Sequence, residues 1–471
     1  MAAQRIAVMG GGISGLAAAY RCRELARERG RDVEITVFER ASRVGGCIAT
    51  RYDEGCVLEM GPDSLITEKP AALDLIGRLG LADEVRPMLT EYRGARVVRA
   101  GRLVPIPDDF RLFTPMSLAA LVGSRLFTPF GILRAALEPF VPAAASARDE
   151  SLGSFVSRRF GREILERLAQ PLIGGIYSGD PSRLSMQATL PQFLAMERKH
   201  GSLVRAMQAM ARNQPPSAAP RMVSLRGGLG SLVASLEREL AGTVRTSSEV
   251  TELRRGIDGW KVGLADGSNA DVDAVICALP AHAAAPLFEP FAPQTANLLR
   301  SIAYHSVATV TMAFTTADIP PLPRCTGFVV PQIEGRRVMA TTFSSQKYVN
   351  RAPEGTTILR AFVGGAMQSE VLQLEDRDLV AAVRDEFREL LGIAGPANWS
   401  IVHRHPEALP EYSVGHTGVI GEIERSVTAI GSIALAGSAY RGAGIADCVA
   451  SAERAALAVV DSLEGAYLGV A

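Results

Sequence analysis

The stretch RIAVMGGGISGLAAAYRCRELA, Arg5 to Ala26, decides the fold. It reads as a short apolar strand (Ile6 to Met9), glycines at Gly10, Gly12 and Gly15, and a helix-forming run of alanines and leucines. In a strand–turn–helix unit that binds a dinucleotide, each glycine has its own task. Gly10 makes the tight turn, Gly12 lets backbone approach a pyrophosphate, and Gly15 lets the helix sit against the strand. The unpaired N–H groups and the positive end of the helix dipole then meet the pyrophosphate, with no basic side chain needed. A second strand, Val33 to Phe38, ends at Glu39, which is placed to accept hydrogen bonds from an adenosine ribose. Strand, helix, strand and terminal acid in that order imply an adenine dinucleotide on an α/β fold. They leave NAD and FAD open.

The 471 residues are enough for two or three structural units, and an apolar content of 47% suits a globular chain. Fifty basic residues balance fifty acidic ones, so nothing in the total favours a nucleic acid partner. Six scattered cysteines form no CxxC pair, which reads as reduced thiols in a cytoplasmic protein. The apolar N-terminus is the nucleotide unit itself rather than a secretory signal. No stretch approaches the roughly 20 apolar residues of a membrane span, so any membrane contact is expected from one side.

Glycine-rich loops and short strands follow Glu39, a helical pattern runs from Pro70 to Leu89, and RVVRAGRLVPIP alternates as strands and turns. Residues 110–215 carry amphipathic helices broken by prolines and close in NQPPSAAP, Asn213 to Pro220, which reads as an exposed linker. Nucleotide-domain signals recur in the middle and at the end of the chain, so one domain is interrupted by two insertions. The expected boundaries are 1–70, 218–294 and 406–471 for a discontinuous Rossmann-type dinucleotide domain. A mixed-sheet substrate domain takes 71–109 and 295–405, and an inserted helical domain takes 110–217.

The turn GGLGS, Gly227 to Ser231, resembles a second dinucleotide fingerprint, but Val233 stands where its third glycine belongs. One dinucleotide without a nicotinamide site points to a flavin reoxidised by oxygen or a quinone. A helix beginning near Gly444 would aim its positive end at whatever precedes it, which suits a reduced flavin ring. His403 and His405 share a strand face, yet no third ligand has suggestive spacing and no metal is expected. Between residues 110 and 140, Phe110, Phe113, Leu121, Leu126, Phe127, Phe130, Leu133 and Phe140 interleave with Arg111, Arg125 and Arg134. Membrane-interface helices and core packing explain that pattern equally well.

ERASRVGG, Glu39 to Gly46, resembles the double-glycine signature of the amine oxidase, phytoene desaturase and protoporphyrinogen oxidase superfamily of FAD enzymes. GGIYSGDPSRLSMQATLP (Gly174 to Pro191), NRAPEGTTILRAFVGG (Asn350 to Gly365) and LAGSAYRGAGIADCVASAERAA (Leu435 to Ala456) are similar to its bacterial and plant-type protoporphyrinogen oxidase family. The resemblance runs from the first strand to the last helix.

It implies that Gly10, Gly11, Gly12, Ile13, Ser14 and Gly15 hold the pyrophosphate of FAD, with Glu39 at the ribose and Arg40 beside it. It puts Arg43, Gly46 and Cys47 near the phosphates, Gly61, Pro62, Asp63 and Ser64 along the flavin, and the Val250 backbone at the adenine. Ala443, Gly444 and Ile445 would face the isoalloxazine. Cys47 departs from the pattern, since many members carry arginine or tryptophan there.

For substrate, the resemblance suggests Arg96 as a propionate partner, with Arg93, Arg99 and Arg102 as rivals, the Gly175 backbone at the ring, and Tyr348 packed on the macrocycle. The implied reaction is oxidation of protoporphyrinogen IX to protoporphyrin IX, with oxygen as acceptor and hydrogen peroxide released, on a protein peripheral to the cytoplasmic membrane. Coproporphyrinogen III is the near alternative substrate, amine oxidation and carotenoid desaturation are more distant, and a flavin-free lipid carrier on the same fold is the non-enzymatic one. The sequence leaves a homodimer open.

Overall fold

A computed structural model describes residues 3–144, 148–213, 221–256 and 259–468. Most of the Asn213–Pro220 linker, from residue 214 on, therefore lies outside the described residues. The opening stretch forms strand β1 (Gln4–Met9), helix α1 (Ile13–Glu28) and strand β2 (Val33–Phe38). They lie in a five-stranded parallel sheet whose spatial order is Val244–Arg245, β2, β1, Ala274–Cys277 and Ile433–Leu435. Its strands come from three distant parts of the chain. Their full apolar runs, such as Ala274 to Cys277, suit a parallel sheet covered on both faces. Helix α1 and the C-terminal helix Ile445–Leu468 cover one face through Leu16, Ala18, Val449 and Ala452.

Helix Ala71–Arg78 packs into this same core through Ala72, Leu75 and Ile76. It is shorter than the 70–89 pattern, because Gly80 turns the chain at φ +70° and strand Val85–Pro87 then pairs with Met222–Leu225. The dinucleotide layer thus extends past residue 70. A three-stranded antiparallel sheet over 250–272 joins it.

The second layer is a seven-stranded mixed sheet, in order Trp399–Pro410, Tyr304–Thr315, Thr356–Gly364, Ala340–Phe343, Gly327–Val329, Arg96–Arg99 and Arg102–Pro105. Only the pairing of Gly327–Val329 with Arg96–Arg99 is parallel. Helix Asp376–Leu391 covers one face with Leu379, Val383 and Phe387. A helical unit follows residue 110 and packs around Phe113, Phe127, Phe155, Phe160 and Ile173.

Within that unit the 110–140 segment divides. Phe113, Leu121, Leu126 and Phe127 are core, whereas Phe130 (79% exposed), Leu133, Leu137 and Phe140 (78%) lie on the surface. Phe130, Leu133 and Leu137 follow helical spacing on helix Pro129–Ala136 and its end, so they share a face. Beneath them Glu138 and Arg159 form a wholly buried ion pair, and Arg159 also donates to the Val141 carbonyl at 2.9 Å. Arg134 is no free cationic flank, since its guanidinium donates to the Arg158 and Arg159 carbonyls at 2.6 and 3.0 Å.

Candidate functional site

The C-terminal ends of the parallel strands open on one crevice, the usual ligand position in such sheets. There the Gly11 N–H donates to Glu39 Oε2 at 2.7 Å and the Ala41 N–H donates to Oε1 at 2.8 Å, which fixes the carboxylate at the end of β2. Helix α1 starts at Ile13 with no side chain capping it and no acid in its first turn. Its leading N–H groups are left for an external anion. A Cβ on Gly12 would meet nothing within 4 Å, whereas one on Gly15 would overlap the Gly10 carbonyl. The crevice therefore fits a pyrophosphate laid over Gly12, with Gly15 serving the strand–helix contact.

The double glycine closes over this start. Gly45 bridges Gly12 and donates from its N–H to the Gly11 carbonyl at 2.8 Å, and both Gly45 (φ +101°) and Gly46 (φ +58°) need the left-handed region. Arg43 braces the loop by donating to the Val44 and Gly46 carbonyls at 3.0 and 2.8 Å. Ile13 and Ser14 are buried, while Arg40 and Cys47 are exposed at the rim. Val250 begins a strand two residues after Ser248, whose N–H donates to the Glu39 carbonyl at 2.8 Å, so its backbone passes the acid that marks the ribose position.

The GGLGS turn is built differently. Glu59 Oε1 accepts the Leu229 N–H at 2.7 Å and Thr50 Oγ1 accepts the Gly230 N–H at 2.8 Å, so the start of helix Gly230–Glu239 is filled by the protein's own carboxylate and hydroxyl.

Gly61 to Ser64 form a half-buried bracket with the mixed sheet. Arg360, which is 3% exposed, donates to the Glu59 and Gly61 carbonyls at 2.9 and 2.6 Å. A side chain at Gly61 would collide with the Cys47 carbonyl, so this segment passes directly under the double-glycine loop, with Pro62 following. Asp63 Oδ1 accepts Lys347 Nζ at 2.8 Å and Ser64 Oγ at 2.6 Å, and Ser64 in turn accepts the Tyr348 hydroxyl at 2.8 Å. Burial alone would raise the Asp63 pKa, but Lys347 and Arg360 beside it hold its carboxyl well below the usual range. Burial raises Glu59 and lowers Arg360. Tyr348 is thus a strut in this network, on the wall of a small pocket that Glu59, Asp63, Lys347, Arg351 and Arg360 also line.

The C-terminal helix begins at Ile445, directly after Ala443 and Gly444. Its first turn carries Asp447, whose carboxylate takes both contacts from Lys69 Nζ at 2.7 and 2.8 Å. The positive end of this helix therefore already faces an acid, and Lys69 restores the charge it cancels. A second small pocket lies where helix Gln170–Tyr177 meets the mixed sheet, and Gly174, Gly175, Met339 and Met367 line it. Arg96 is not among its walls. It shares a strand face with Val98, opposite the face that Val97 turns to the helical unit, and its Nη1 donates to the Leu103 carbonyl at 3.2 Å.

His403 and His405 stack edge to face with centroids 4.5 Å apart, and His405 Nε2 donates to the Met60 carbonyl at 2.9 Å. Among the described residues no group of three His, Cys, Asp or Glu is placed to hold a metal. Burial lowers both pKa values; Arg360 and Arg43 add to it at His405, and His405 and Arg43 at His403. The unfolded chain then binds protons near pH 6.5 that the folded chain refuses, so stability is complete above that pH and falls as pH drops towards the lowered values. We expect urea unfolding to lose up to about 1.4 kcal/mol per pH unit at His405 in this window. His405→Gln should flatten the slope between pH 7 and 5, and an unchanged slope would assign it to other groups.

Lys69, Lys347, Arg360 and Asp447 had no signal of their own in the sequence, except that Asp447 stands three residues after the Gly444 turn, where acids commonly meet a helix start. Comparison with known proteins agrees with the crevice. Residues 13–460 match the family described as flavin containing amine oxidoreductase. Coproporphyrinogen III oxidase of Bacillus subtilis is 32% identical over 98% of both chains. Protoporphyrinogen oxidase 1 of Arabidopsis thaliana is 29% identical over 96% of this chain and 87% of its own. A crystal structure from Exiguobacterium sp. 255-15, solved as a candidate protoporphyrinogen oxidase, has a TM-score of 0.87 at 32% identity and covers 98% of this chain and 100% of that one. No helix among the described residues is long and apolar enough to cross a membrane. With its anion-ready helix start and a match across nearly its whole length, the chain belongs to the flavin-containing amine oxidoreductases, and FAD is its cofactor.

Proposed function

We propose that the chain oxidises protoporphyrinogen IX to protoporphyrin IX in haem biosynthesis. The observation that carries this reading is the similarity of the chain, end to end, to porphyrinogen oxidases, with Gly174 and Gly175 of the GGIYSGDP motif lining a small pocket against the mixed sheet. FAD supplies hydride acceptance, and oxygen regenerates it with release of hydrogen peroxide. The chain's own residues bind and orient. The first turn of α1 holds the pyrophosphate, Glu39 the ribose, and Arg360 and Lys347 keep Gly61 to Ser64 in place. Three meso carbons each give up a hydride, six electrons in all, while the fourth meso carbon and two pyrrole nitrogens lose protons as the ring becomes an aromatic macrocycle, so the reaction requires no side-chain nucleophile.

The names of the bacterial relatives favour a second substrate, coproporphyrinogen III, which carries propionates where protoporphyrinogen IX has vinyl groups. Anaerobic addition of a porphyrinogen should bleach the flavin. An amine that bleaches it while both porphyrinogens fail overturns the reading. A clear kcat/KM preference for the four-propionate ring reassigns the substrate.

The outward ridge of Phe130, Leu133, Leu137 and Phe140 supports peripheral attachment to a membrane. A Phe130→Ser/Phe140→Ser variant should lose about tenfold or more of its binding to anionic vesicles, since each ring is worth roughly 1.5–3 kcal/mol when buried. Equal co-sedimentation of variant and parent would remove the proposal.

A further inference from the structure

Six residues, Glu411 to His416, lead from strand Trp399–Pro410 into helix His416–Ile430, and three parts of the chain meet on them. Their backbone holds the helical unit. The Tyr412 carbonyl accepts the Ser185 N–H at 2.7 Å, the Val414 N–H donates to the Arg183 carbonyl at 2.8 Å, and the Gly415 N–H donates to Asp149 Oδ2 at 2.9 Å. The buried Glu411 carboxylate adds Arg183 Nη2 at 2.9 Å and His305 Nε2, from the mixed sheet, at 2.7 Å.

Two side chains of the six reach towards the C-terminal turn. Tyr412 is 1% exposed, and its ring packs on Tyr177 at a centroid distance of 5.8 Å and on His416 at 4.4 Å, nearly parallel. Its hydroxyl donates to the Ser438 carbonyl, and His416 Nε2 donates to the Tyr440 carbonyl at 3.2 Å. A carbonyl only accepts, so His416 carries its ring hydrogen on Nε2. Both bonds fall on the segment that joins strand Ile433–Leu435 to Ala443, Gly444 and Ile445. That segment is neither helix nor strand, and Gly437 and Gly442, both at φ +142°, bracket it. Glycine at either end gives it little stiffness of its own, so Tyr412 and His416 aim its carbonyls.

On the reading that Ala443 to Ile445 face the flavin, we propose that Tyr412 and His416 are positioning residues for the isoalloxazine. They hold the turn that presents it, and through Tyr177 and the backbone at Arg183 and Ser185 they register that turn to the end of helix Gln170–Tyr177. Hydride transfer depends steeply on alignment, and an error of about 1 Å costs on the order of 100-fold. The pair therefore acts on the rate of flavin reduction more than on substrate affinity.

The test uses the FAD-loaded full chain. Tyr412→Phe keeps the stacked ring and removes only the bond to Ser438. It is expected to retain flavin, to change the visible circular dichroism of the bound ring, and to slow anaerobic flavin reduction at saturating porphyrinogen about tenfold, with KM within about threefold. His416→Phe keeps an aromatic partner for Tyr412, removes the second bond, and should act in the same direction. Phe387→Leu, in the core between helix Asp376–Leu391 and the mixed sheet, controls for destabilisation. It should lower Tm and leave dichroism and reduction rate as in the parent. Should Tyr412→Phe fail to fold, His416→Phe carries the same two readouts. Unchanged dichroism with a reduction rate within about twofold of the parent in the folded variants would overturn the proposal, as would equal changes in Phe387→Leu. A parent whose flavin no porphyrinogen reduces would overturn the functional reading instead, and the dichroism would still decide the role of Tyr412.

Discussion

Gly12→Val is expected to give a folded, colourless protein. The Cβ of residue 12 meets no protein atom within 4 Å, so the fold tolerates it, but it projects over the uncapped start of α1 where the pyrophosphate must lie. A branched side chain there separates phosphate oxygens from the N–H groups that hold them, and we expect FAD affinity to fall by about 100-fold or more, some 2.7 kcal/mol. Gly15→Ala supplies the contrast, because its Cβ overlaps the Gly10 carbonyl and forces β1 and α1 apart. It should lower both flavin content and secondary structure. Flavin absorbance of the purified proteins, circular dichroism and FAD titration separate the two. Full flavin content in Gly12→Val would dissociate the crevice from the cofactor.

Arg360→Met is expected to be the most destabilising single change at the interface of the two sheets. It removes the donors to the Glu59 and Gly61 carbonyls and one of the two cations that keep Asp63 ionised. Truncating one partner in a buried charged network costs about 3–5 kcal/mol, because the groups left behind are desolvated and unpaired. The Asp63 pKa should rise towards the ordinary carboxylate value. Since Gly61 to Ser64 lose their clamp, flavin fluorescence should appear at lower urea than the global transition. A loss below about 1 kcal/mol, with the two transitions coincident, would show that the bracket contributes little.

The dinucleotide unit was legible because its glycines answer backbone demands that neighbours in sequence impose. Gly10, Gly12 and Gly15 meet within one turn and a helix start, so spacing alone reveals them. The bracket was not legible in the same way. Asp63 was named for a flavin contact, yet its environment comes from Lys347 and Arg360, almost three hundred residues away. Alternation along Arg96–Arg99 puts Arg96 with Val98 and apart from Val97, but only the packed structure tells which face the helical unit covers. The 110–140 segment was ambiguous for the same reason, since an apolar helix face looks alike whether a core or a bilayer receives it. Its division into buried Phe113 and Phe127 and exposed Phe130 and Phe140 depends on tertiary contacts.

Glu59 has a wider consequence. Its carboxylate sits at the start of helix Gly230–Glu239 as a built-in counterfeit of phosphate, held by the Leu229 N–H and by Thr50. A pyridine nucleotide seeking that berth would have to evict a tethered residue whose effective concentration no free ligand matches. The turn that most resembles a second nucleotide fingerprint in the sequence is thus closed from within, by a residue that the chain itself brings to it.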